Sequence, residues 1–191
     1  PQYSDIESRK EVDIDNMLDK SLKLLVPIIS SPMDTVTEEK MVIAMSFAGG
    51  LGIVHRYNTI ENQAEIINNL CKKHFCTKVG AAIGATGDYE ERATALYDAG
   101  ARLLCVDVAH GHHVLVKRAL HKLREVFGDA VHLMAGNVAT REGFEALSDW
   151  GADSVRCNIG GGSICSTRIQ TGHGVPGLQT IMDCALSLIH I

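Results

Sequence analysis

Short apolar runs rich in β-branched residues return along this chain at a nearly even interval. That interval constrains its fold more than any other feature. The runs cover residues 26–30, 51–55, 79–83, 103–107, 131–135 and 154–158, with starts about 23 to 28 residues apart, the length of one strand plus one helix. Between them lie helix-spaced apolar positions: Met41, Ala44, Met45 and Ala48; Ile60, Ala64, Ile67 and Leu70; Val116, Leu120, Leu123 and Phe127. Gly49-Gly50, Gly100, Gly128 and Gly151 each follow a helical run and precede a strand, where a left-handed residue turns the chain back cheaply.

Unbroken βα alternation, with strands apolar enough to be buried on both faces, implies a parallel sheet covered by helices. The architecture is then a barrel or a doubly wound sheet. No GxGxxG follows the first strand, which counts against a Rossmann dinucleotide fold. About six strands are legible, so a TIM (β/α)8 barrel would be incomplete, lacking its last two and leaving two open edges. The 191 residues read as one domain or part of one. Both ends look cut: Pro1 is not an initiator Met, and residues 187–191 form an apolar end without a helix stop.

With 46% hydrophobic and 21% charged residues, the chain has enough apolar material for one substantial core. A formal net charge of -5 and no Lys/Arg run longer than two argue against a nucleic-acid backbone as partner. The sequence contains neither a signal peptide nor the roughly 20 apolar residues of a membrane span. A cytoplasmic protein is expected. The six cysteines (71, 76, 105, 157, 165 and 184) lack the spacing of a disulfide framework and read as thiols. Cys71, His74 and Cys76 lie close together, but no second ligand pair follows at finger spacing, so zinc is not expected.

Polar and glycine-rich residues gather just after the strands: residues 31–34, 55–57, 107–113, 136–137 and 160–167. That is the C-terminal face of the sheet, where α/β folds build their sites. The most informative stretch runs from Asn158 to Arg168. Gly160-Gly161-Gly162 lets the backbone approach a ligand and turn its N–H groups inward, and Ser163 adds a hydroxyl; a merely flexible loop is the alternative. Cys165 lies on this loop as a candidate nucleophile, soft enough to add to an electron-poor heteroaromatic carbon, with Thr167 placed to relay a proton. Cys105 and Cys157 fall in strands and Cys184 in a helix, where thiols are usually inert.

The stretch from Gly160 to Arg168, followed by Thr171-Gly172-His173-Gly174-Val175-Pro176, resembles the catalytic cysteine loop of IMP dehydrogenases and GMP reductases. Residues 30–38, 49–56, 106–112 and 135–140 resemble further segments of that family, in the family's order and over nearly the whole chain. The resemblance implies a TIM barrel in which Cys165 attacks purine C2 and hydride passes to or from a nicotinamide cofactor, NAD for a dehydrogenase and NADP for a reductase. It implies that Ser31, Met33, Gly162 and Ser163 contact the nucleotide, and that Thr167 assists proton movement. Asp107, Ala109, Asn137 and Gly160 would lie at the cofactor, although an Asp at a strand end is also a ready helix cap. The backbone carbonyls of Gly160, Gly162 and Cys165 match a monovalent-cation site, usually potassium. His110, His112 and His113 invite a metal, but the family carries His110-Gly111-His112 without one; single exposed histidines are expected.

Asn158 and Gly161 depart from the family, replacing a Gly and a Pro or Ser. The helix from Ile60 leads almost directly to the strand at Val79, leaving no room for the paired regulatory CBS modules of most dehydrogenases. The reading favoured is the guanine-nucleotide biosynthetic reaction, IMP, NAD and water to XMP and NADH. GMP reductase is the first alternative, and a barrel that binds nucleotide without catalysis is the second. The family's barrels are usually homotetramers, and residues that finish turnover would lie beyond Ile191.

Overall fold

The computed structural model describes residues 5–19 and 22–188; Pro1 and the last three residues of the apolar end lie outside them. A short hairpin, β1 (Asn16–Met17) and β2 (Lys23–Leu24), comes first. Six strands follow: β3 (Ile29–Ser30), β4 (Leu51–Val54), β5 (Val79–Ile83), β6 (Leu103–Asp107), β7 (His132–Val138) and β8 (Ser154–Cys157). Every neighbouring pair is parallel and the spatial order is the order in sequence. A doubly wound sheet reverses direction at a switch point; this one never does. Every crossover therefore steps the same way, as in a barrel, and the architecture is an incomplete α/β barrel with β3 and β8 as its edges.

The helices are α1 (Glu39–Phe47), α2 (Ile60–Lys72), α3 (Tyr89–Ala99), α4 (Val114–Phe127), α5 (Arg141–Asp149), the short α6 (Thr167–Thr171) and α7 (Gly177–Leu188). The strand alternation splits the core into two layers. Val79, Ala81, Ile83, Leu104, Val106, Leu133 and Ala135 face the helices and pack with Ile67, Leu96, Leu120 and Leu147. Leu51, Ile53, Ala82, Leu103, Cys105 and Met134 face the concave side. Each fully buried leucine of this set stabilises the fold by about 1.5–3 kcal/mol. At Gly100, which ends α3 at φ 117, a Cβ would lie 2.9 Å from Cys71 Sγ, so both conformation and space require glycine there.

One polar network crosses the outer layer. Arg92 of α3 donates to Gln63 Oε1 of α2 at 2.8 Å and to Asp88 at 2.7 Å, while Gln63 Nε2 donates to Ala82 O of β5 at 2.9 Å. The buried amide and guanidinium thus satisfy each other, as burial demands.

The hairpin was not legible in the sequence. Leu18, Leu22 and Leu24 pack into the concave layer, and Asp19 accepts a hydrogen bond from His132 Nδ1 at the start of β7. His132 Nε2 in turn meets Ser154 Oγ at 2.7 Å. The hairpin is therefore pinned to the N-terminal end of β7 and β8, opposite the face where the loops gather.

Two strand limits differ from expectation. The first barrel strand shrinks from 26–30 to Ile29–Ser30, and β7 runs on to Val138. Gly136 and Asn137, expected after the strand, are part of it. Gly136 passes so close to β8 that a Cβ would fall 2.6 Å from Arg156 Cβ.

Candidate active site

The C-terminal ends of β6, β7 and β8 are interlocked by backbone hydrogen bonds. Val108 N donates to Gly136 O at 2.9 Å, Asn137 N to Val108 O at 2.8 Å, Gly111 N to Asn137 O at 2.7 Å and Asn158 N to Val138 O at 2.8 Å. These bonds hold the three loops that follow as one rim. Asn137 Nδ2 adds a bond to Asn158 O at 3.0 Å.

Within the rim lies a cleft of about 360 Å³, lined by Cys165, Thr167, Asp107, Ala109, Asn137 and Gly160 together with Arg56, Tyr57, Val108, Arg156, Asn158 and Ile159. The first six are residues expected from sequence. The other expected residues lie elsewhere: Ser31 and Met33 are exposed on the loop after β3, and Gly162 and Ser163 are exposed on the cysteine loop. Ser31 O accepts from Thr37 Oγ1 at 2.5 Å and from Met33 N at 2.8 Å, which closes that loop against α1.

Arg156 is the main residue that sequence reading passed over. It donates to Asp107, and its Nη1 reaches Cys105 Sγ at 3.7 Å. A signal existed: an arginine inside an otherwise apolar strand, in register with Gly136 of β7, has to find an anion on the concave side. Arg56 belonged to a noted polar cluster without a role, yet its side chain lines the cleft. Neighbouring His55 is buried; its Nδ1 accepts from Tyr57 N at 3.1 Å, so its Nε2 carries the proton and donates to Glu38 at 3.2 Å.

Cys165 stands apart from four other thiols chemically. The Thr167 hydroxyl hydrogen-bonded to it lowers its pKa, helped by the Thr167 N–H and the Arg168 charge, against a small opposing effect of burial. Burial pushes Cys105 and Cys157 up to about 12 and also raises Cys71 and Cys184. Compared with those buried thiols, Cys165 gives its nucleophilic thiolate at a lower pH. Thr167 is not in the loop but opens α6, so the helix start fixes the hydroxyl that serves the thiol.

The donor sets expected for cofactor and cation differ in fit. A nicotinamide carboxamide needs one acceptor and one donor, and the cleft offers the Asp107 carboxylate and the Asn137 and Arg156 N–H groups beside Cys165. These residues fit. The cation set does not fit as arranged, because Gly162 O already accepts from Cys165 N at 3.1 Å and from the Arg168 guanidinium at 3.2 Å. Both its lone pairs are in use. Among the described residues no cluster of three His, Cys, Asp or Glu suits a metal; His110, His112 and His113 are exposed, and His113 caps α4 by accepting from Leu115 N at 3.2 Å.

Comparison with known proteins gives a consistent result. The model of the IMP dehydrogenase / GMP reductase domain matches residues 1–190. The chain is 34% identical to the inosine-5'-monophosphate dehydrogenase of Cryptosporidium parvum, over 97% of this chain and 55% of that protein. It is 28% identical to the inosine-5'-monophosphate dehydrogenase of Nitrosopumilus maritimus and 26% identical to the GMP reductase of Leishmania major, in both cases over 97% of this chain and 64% of the relative. The chain thus spans a little over half the length of the curated relatives it matches.

Proposed function

We propose, since this chain belongs to the IMP dehydrogenase / GMP reductase family, that it holds the nucleophile of a purine nucleotide oxidoreductase converting IMP, NAD and water to XMP and NADH. The observation that carries the reading is the Cys165 thiol, lowered by Thr167, in a cleft with Asp107, Asn137 and Arg156. In this reading the Cys165 thiolate forms a bond to purine C2. The dinucleotide, when bound, supplies the acceptor for the hydride that leaves C2. Thr167 holds and passes the proton at Sγ and later at the water that breaks the sulfur–carbon bond. Asp107, Ala109, Asn137 and Gly160 orient the nicotinamide end; Ser31, Met33, Gly162 and Ser163 orient the nucleotide. Their task is to hold the reacting atoms at attack distance.

The β3 loop segment 31–38 favours the dehydrogenase. α2 ends at Lys72 and β5 starts at Val79, so a regulatory module is not accommodated there. GMP reductase is the second reading, favoured by that short link and by the match to the Leishmania major protein. Six cysteines kept as thiols rather than disulfides support action in a reducing compartment, the cytoplasm, and among the described residues no helix is long and apolar enough to cross a membrane. We place the full-length protein in a homotetramer on the strength of the family alone.

The test is covalent trapping. A 6-chloropurine ribonucleotide is expected to add a mass to the Cys165 peptide and none to the Cys165→Ala chain. Absence of an adduct on folded protein would leave a nucleotide-binding barrel without catalysis. Turnover of GMP with NADPH, and not IMP with NAD, by full-length protein would assign the reductase.

A further inference from the structure

The histidines that the proposed reaction does not use share a second cleft. It encloses about 380 Å³ and is lined by His110 and His112 from the β6–α4 loop, His173 from the α6–α7 loop, Thr140 at the start of α5, and an apolar floor that includes Val138 and Ile159. Ile159 also lines the Cys165 cleft, and Ile159 O accepts from Val175 N at 3.0 Å. The two clefts are therefore neighbours across one strand-like segment.

The lining includes no carboxylate. Of the charged groups on the surrounding elements, Arg141 pairs with Glu145 at 2.7 Å, Asp183 with Gln179 at 2.7 Å and Arg168 with the Gly162 carbonyl, while Glu142 stands in the first turn of α5. Lys117 of α4 stacks over Trp150, against which His112 also packs, and His110 lies edge-on to His113. His173 Nδ1 donates to Thr171 O at 2.6 Å, which leaves its Nε2 for a ligand. Thr140 Oγ1 accepts the α5 capping bond from Gly143 N, which leaves its O–H to donate.

Among the described residues no group of three His, Cys, Asp or Glu side chains is placed to hold a metal. Three imidazoles, two on the β6–α4 loop and one on the α6–α7 loop, together with a hydroxyl match a tetrahedral oxyanion, which presents at least three acceptor oxygens, better than a flat carboxylate with two. The apolar floor suits a flat body attached to it, and the volume suits a small ligand.

From this we infer a second site, beyond the purine reaction and independent of it, that binds a phosphate monoester with a flat apolar body on His110, His112 and His173.

Phenyl phosphate is a direct probe, titrated into the intact chain while histidine ring resonances are followed by NMR. Saturable shifts of His110, His112 and His173 are expected, with phenyl phosphate binding about tenfold or more tightly than phenol, which lacks the oxyanion. His173→Gln and His112→Gln, both at exposed positions, are expected to weaken binding. Phenol binding as tightly as phenyl phosphate, or shifts confined to the Cys165 cleft, would each overturn the site.

Discussion

A Cβ at position 161 would sit 2.3 Å from Nδ2 of Asn158, so the amide of Asn158 occupies the space that a side chain at Gly161 would take. The two positions that the resemblance marked as departures thus compete for one space. Gly161→Ala is expected to cost about 1–3 kcal/mol through overpacking and to disturb Cys165 reactivity. Adding Asn158→Gly should recover most of that loss, because neighbours in contact couple. Urea unfolding of the four members of the cycle measures it; simple additivity would refute the coupling.

The lowered Cys165 pKa sets a pH dependence. A depressed thiol is ionised at a lower pH, so alkylation of Cys165 by iodoacetamide should reach half its limiting rate below the pH typical of free cysteine. Thr167→Val removes the largest cause of the shift and should move the midpoint upward. Cys105 and Cys157, pushed up to about 12 by burial, should stay unlabelled in the folded chain at neutral pH. Peptide mass mapping against pH reads all three.

The pin between the hairpin and the barrel floor should be measurable. Asp19→Ala leaves the buried His132 Nδ1–H without its acceptor, a loss of about 1–3 kcal/mol. Hydrogen exchange at Leu18 N, which bonds to Leu22 O within the hairpin, is expected to speed up more than exchange in β5 or β6. Unchanged protection of the hairpin would mean that leucine packing alone holds it.

Arg168 holds the carbonyl that a potassium ion would need. Cys165 alkylation is accordingly expected to run at the same rate in potassium and lithium salts. Arg168→Met frees one lone pair of Gly162 O and should introduce a preference for potassium. A strong potassium requirement in the unmodified chain would show that the guanidinium gives way to the ion.

The strand–helix rhythm, both layers of the core and the C-terminal rim were legible because each follows from local periodicity: alternation hides two faces of every strand, and glycines mark where helices turn back. Cys165 was legible for a related reason, being a thiol on a glycine-rich loop instead of in a strand or helix. The hairpin escaped because β1 and β2 are each two residues long, too short for any period, and are held by leucines and Asp19 reaching distant strands.

By itself, then, the sequence determined that the sheet is parallel, and it singled out the C-terminal rim and Cys165 as candidates, since these depend on residue type and spacing along the chain. The tertiary structure decided that Arg156 faces Asp107, that Asn158 fills the place of a residue-161 side chain, that Arg168 claims the Gly162 carbonyl, and that three histidines share a second cleft. Each of those is a contact between groups brought together by strand register and loop closure, and no local pattern encodes the distance between them.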